Sequence, residues 1–183
     1  PGGALQVPRG DEIFPFVNDV QNDFDLVVAT QDWHPQNHMS FANHHKGKVE
    51  FDQIEWMGLT QTLWPDHCVQ GSKGAEFCAH LKTKKIEAIF RKGMDPDIDS
   101  YSGFYDNGHK KSTGLSGYLK EKGVKRLYFC GLAADVCVYY SMLDALKEGF
   151  WVSLFEAGVR ALDLKNYERL KEELSSKGVQ FIS

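Results

Sequence analysis

The chain has 183 residues, 42% of them hydrophobic and 25% charged, an ordinary balance for a globular protein long enough to bury one sizeable core. Its formal net charge of −4, with no basic run, argues against nucleic acid or an anionic membrane surface as partner. No apolar stretch approaches the ~20 residues that span a bilayer and no secretory signal is visible, so the expected compartment is the cytoplasm.

In chain order, Ile13, Phe16, Val17, Val20 and Phe24 recur at helical spacing and predict an amphipathic helix over residues 11–24. A continuous apolar run over 26–30 reads as a strand covered on both faces. Residues 31–75 break that rhythm. They are rich in His, Trp, Asn, Gly and Pro, show no period, and form a segment long enough to suggest function rather than mere connection. Further strands are predicted at 87–90, 126–130 and 151–155, with helices at 115–122, 136–147 and 167–177. Gly123 and Gly149 stand where two of those helices should stop. Short buried strands alternating with helices predict an α/β fold with a mostly parallel sheet between helical layers. Without linkers or repeats, one domain is expected over 1–183.

Ligands of open parallel sheets bind beyond the carboxyl ends of the strands, so the residues delivered there carry the chemistry. The first strand delivers Asp32 and His34, the second Lys92, and the third a turn of small residues leading to Cys137. Cys137 opens a helix, where free N–H groups and the dipole favour thiolate and predict a pKa below ~8.5. The alternative is an inert core cysteine. Asp32 and His34 are two apart, so in extended backbone their side chains point the same way and suit one metal ion. His67 offers a third donor. Two imidazoles and one carboxylate leave positions open, as a catalytic or substrate-polarising ion requires. The alternative is a set of solvated loop residues, the reading adopted for His44 and His45. His38 stays open between fourth ligand, outer partner of the ion and loop packing. Lys92 is either a stabiliser of the thiolate or an ordinary surface lysine. Cys68, Cys78 and Cys130 read as packing residues, since no CxxC spacing occurs.

Thr30-Gln-Asp-Trp-His-Pro35, Leu63-Trp-Pro-Asp-His-Cys-Val-Gln-Gly71, Lys92-Gly93, Asp99-Ser-Tyr-Ser-Gly-Phe104 and Gly131-Leu-Ala-Ala-Asp-Val-Cys137 together resemble the nicotinamidases of the isochorismatase-like hydrolases. The resemblance implies a three-layer α/β/α fold and conversion of nicotinamide to nicotinic acid and ammonia, with pyrazinamide as an analogue substrate. It implies Cys137 as nucleophile and Lys92 as its charged partner, with the N–H groups of Ala133 and Cys137 as oxyanion hole. Asp32, His34 and His67 would hold a divalent ion (zinc first, iron or manganese as alternatives) in a metal-binding insertion at about 31–75. Trp64, Tyr101 and Ala133 would contact the substrate ring, although packing alone would also account for Trp64 and Tyr101. Members of this group are often homo-oligomers.

The chain departs from the pattern at one point. The family's acid–base aspartate sits in an Asp-x-Gln-Asn-Asp-Phe motif at the end of a strand just ahead of Pro-Gly-Gly-Ala-Leu, and the sequence starts at Pro1 of that run. A near copy, Asp19-Val-Gln-Asn-Asp-Phe24, falls within the predicted first helix. Three readings stand: a strand that precedes Pro1, an impaired or binding-only relative, or replacement by Asp19. Another amidohydrolase of the superfamily is the remaining alternative, favoured if no metal is held.

Overall fold

A computed structural model describes residues 2–183 of the chain. The first predicted helix is broken into three pieces. A 3-10 turn at Gly10–Ile13 leads into α1 (Phe14–Val20), and a second 3-10 turn follows at Gln21–Asp23. Pro15 is accommodated in the first turn of α1, where its missing N–H costs nothing.

Seven strands follow: β1 (Val27–Asp32), β2 (Gln53–Trp56), β3 (Leu59–Thr62), β4 (Ile86–Lys92), β5 (Arg126–Leu132), β6 (Trp151–Arg160) and β7 (Gln180–Ile182). The helices α2 (Leu115–Glu121), α3 (Cys137–Lys147) and α4 (Leu164–Ser176) alternate with the later strands. Gly123 and Gly149 both adopt positive φ (73° and 87°), as a helix stop needs. Asp163 caps α4 by accepting the Asn166 N–H.

β1 pairs in parallel with β4, and β5, β6 and β7 form a parallel sheet. The segment read as irregular contains an antiparallel hairpin, β2–β3. Its alternation is masked in sequence by the exposed apolar residues Val49, Phe51 and Met57 around it. Over α3 and α4 the core gathers Met142, Ala145, Leu154, Leu170 and Leu174, all at 5% exposure or less.

The expected sheet is divided. Among the described residues β1 and β5 do not pair, and their facing edges border a cleft of about 430 Å³. Val27–Asp32 line one side and residues 127–132 the other, with Ile13, Val17 and Val138 closing it. Both strands send their carboxyl ends to one place, so they run the same way.

Candidate active site

Three strand ends meet at one cavity of about 380 Å³, lined by Asp32, His34, Trp64, His67, Lys92, Asp99, Tyr101, Ala133 and Cys137 among others. Asp32, His34, His67, Lys92, Cys137, Trp64, Tyr101 and Ala133 thus all face the same space, while His38 and Asp19 do not line it.

Lys92, the last residue of β4, is 4% exposed and is no surface lysine. Its Nζ donates to the Ser100 carbonyl at 2.8 Å, lies 3.4 Å from Cys137 Sγ and forms an ion pair with Asp32. Burial alone would lower the Lys92 pKa, but the Asp32 carboxylate beside it outweighs burial and holds the ammonium form. Asp32 is the mirror case. Burial opposes its charge, yet the Lys92 ammonium and His34 keep its pKa below the usual carboxylate range.

The thiol departs from expectation. Cys137 is the first residue of α3, as the sequence predicts, but its pKa is raised to about 11. Burial is the larger effect and the Lys92 ammonium only partly offsets it.

Asp32, His34 and His67 present donor atoms within 4.8 Å of one another. His34 Nδ1 bonds the Gly93 carbonyl at 2.9 Å and His67 Nδ1 bonds the Pro65 carbonyl at 2.8 Å. A ring nitrogen facing a carbonyl carries the proton, so in both residues Nε2 keeps its lone pair for a metal. The Nδ1 anchoring and the mixed nitrogen–oxygen donor set fit a divalent ion. Trp64 packs edge-on against Tyr101 (6.0 Å, 85°), and the Tyr101 hydroxyl accepts from Gln61 Nε2 at 3.1 Å. The Leu132–Ala133 peptide is cis, and neither Ala133 N–H nor Cys137 N–H has a backbone partner among the described residues.

Residues 13–183 match the isochorismatase domain. The chain belongs to the isochorismatase family. Over 184 aligned residues it is 43% identical to a curated nicotinamidase of Acinetobacter baylyi, covering 100% of this chain and 86% of the relative. Among solved structures it resembles a nicotinamidase/pyrazinamidase of Acinetobacter baumanii (TM-score 0.97, 43% identity, 100% and 89% of the two chains). A protein from L. infantum in complex with nicotinate has TM-score 0.88 at 40% identity, covering 100% and 85%. The pyrazinamidase of Pyrococcus horikoshii in complex with zinc has TM-score 0.82 at 40% identity, covering 100% and 91%.

Within this isochorismatase-family site, the structure adds residues that motif reading passed over. Gly93 has φ +63, and a Cβ there would lie within 2.5 Å of the His34 ring Nδ1. Gly93→Ala is therefore expected to push His34 out of place and lower the affinity of the donor group for a divalent ion at least tenfold, checked by chelator competition. Gln61 and Asp99 are both buried and joined by a 3.2 Å hydrogen bond behind Tyr101. Burial and bonding identify them; no spacing in the sequence could. Asp19, by contrast, is exposed on α1 and does not line the cavity. Cys68 does line it, with its thiol pushed up to about 12 by burial, and belongs to neither donor group. His44 and His45 bond the carbonyls of Gln36 and Met39 and also stand outside both.

Proposed function

We propose that the chain is a metal-dependent cysteine amidohydrolase, converting nicotinamide to nicotinic acid and ammonia through a thioester on Cys137. The observation that carries this reading is the meeting of one buried thiol, one buried ammonium and a three-donor metal group in a single cavity. Asp32, His34 and His67 would hold the ion, zinc being the first choice because the donors are two imidazoles and a carboxylate. When bound, it supplies a Lewis acid for the pyridine nitrogen. Pyrazinamide, which carries an equivalent ring nitrogen, is the expected second substrate.

The chain's own residues then divide the work. Trp64 and Tyr101 wall the ring, and the carboxamide is turned toward Cys137. Sulfur attacks the carbonyl carbon as its proton passes to a base, and the Lys92 ammonium stabilises the negative charge on sulfur as it develops. The unpartnered N–H groups of Ala133 and Cys137 are suited to hold the oxyanion. Collapse breaks the C–N bond and releases ammonia once the nitrogen is protonated. Water then cleaves the thioester to nicotinic acid and restores the thiol.

That proton traffic needs a carboxylic group titrating near the working pH. The carboxylates of the cavity wall are engaged: Asp32 with Lys92, Asp99 with Ser100 and Gln61, and Asp66 with Asn43. The family resemblance implies an aspartate in that role.

The metal assignment is tested by Asp32→Ala. Protein purified without added metal is expected to lose stoichiometric zinc and to bind nicotinamide more weakly. Full zinc content in that variant, measured by elemental analysis, would remove Asp32 from the ligand set.

A further inference from the structure

A second donor group lies behind the first. His34, His38 and Asp99 also bring donor atoms within 4.8 Å of one another, and all three are buried. His38 is fully buried, and its ring lies 4.4 Å from that of His34. Its Nδ1 meets Ser40 Oγ at 2.7 Å and the Ser40 N–H at 3.3 Å, while Nε2 has no partner. Asp99 is 3% exposed, accepting from the Ser100 N–H at 2.7 Å and from Gln61 Nε2 at 3.2 Å. A packed histidine with an orphaned ring nitrogen beside a fixed carboxylate is costly unless something joins them.

The two groups share only His34. Ligand atoms on one zinc ion, each about 2.0–2.2 Å from it, cannot be more than about 4.4 Å apart. An ion held by Asp32, His34 and His67 therefore does not take His38 and Asp99 as direct ligands. We propose that His38 and Asp99 are positioning residues that hold an ion-bound water, and so fix which open position is left for the substrate ring. The Ser40 N–H donates to His38 Nδ1, which leaves the proton on Nε2, and that N–H can donate to the water oxygen. The Asp99 carboxylate can accept one water hydrogen, and Gln61 keeps that carboxylate in place. The inference rests on the assignment of the ion to Asp32, His34 and His67.

The test is made on apo protein reloaded with zinc, by chelator competition and by X-ray absorption at the zinc edge. His38→Asn and Asp99→Asn are each expected to weaken zinc binding about 10- to 100-fold. Zinc in the unaltered protein is expected to show two imidazoles plus oxygen donors, and His38→Asn should keep both imidazoles. Affinities unchanged in both variants would overturn the proposal. Three imidazoles in the unaltered protein would do so as well, making His38 a direct ligand, and this readout needs no variant to fold. Asp32→Ala separates the two readings. Lost zinc there with unchanged affinity in the other two variants sinks only this inference, whereas retained zinc sinks the ion site with it.

Discussion

Replacing Cys137 by alanine is expected to lower kcat for nicotinamide by at least about 10⁴-fold while zinc content stays unchanged, because removing a covalent nucleophile removes the whole two-step route. The sulfur lies 3.4 Å from Lys92 Nζ and opens α3 directly beneath the cavity. Alanine keeps the helix start and leaves Asp32, His34 and His67 untouched. Ammonia release and elemental analysis on the same preparation check both halves. Substantial residual turnover would take the nucleophile's role away from Cys137.

Lys92→Met should have the second largest effect, on two observables at once. The ammonium is the charge partner of Asp32 and the one group that pulls the Cys137 pKa down against burial. Removing one member of a buried pair leaves the other uncompensated, at a cost of about 3–5 kcal/mol. The lower end applies here, since the Asp32 side chain keeps 21% exposure. Activity should fall about 10²–10³-fold, as when one preorganised electrostatic partner is deleted. The direction of the pH effect follows from the signs. The ammonium favours thiolate, so its loss raises the thiol pKa further above about 11. The pH profile of Cys137 alkylation should accordingly move upward. A downward or absent shift, in protein shown to be folded by circular dichroism, would contradict the coupling.

Much of this arrangement is readable from sequence because it is written in short-range patterns. The apolar runs at 26–30 and 87–90 do mark strands, and both strands extend two residues further, to Asp32 and Lys92, so that the functional side chains sit on the strand ends themselves. Asp32 and His34 converge as their two-residue spacing predicts. What fails depends on three-dimensional surroundings. The helix-start argument for a thiolate at Cys137 is local, whereas the burial that opposes it, with the charges of Asp32 and Asp99 adding to it and Lys92 working against it, comes from distant segments. The β2–β3 hairpin is hidden because its exposed apolar residues blur the alternation that marks a half-buried strand. The 11–24 helix predicted from periodicity is too long, since two 3-10 turns bracket a seven-residue α1. The pairing of Asp99 with Gln61, 38 residues away, has no signature at all.

The divided sheet connects fold to chemistry. Lys92 and Asp32 belong to the β1–β4 pair, while Cys137 follows β5, so the catalytic contact bridges the cleft.

The most direct test of the central claim is ammonia release from nicotinamide by the zinc-loaded protein, measured beside its Cys137→Ala variant. One ammonia per nicotinic acid, lost in the variant, is the predicted result. No ammonia from folded, metal-loaded protein, or turnover that survives the loss of Cys137, would contradict it.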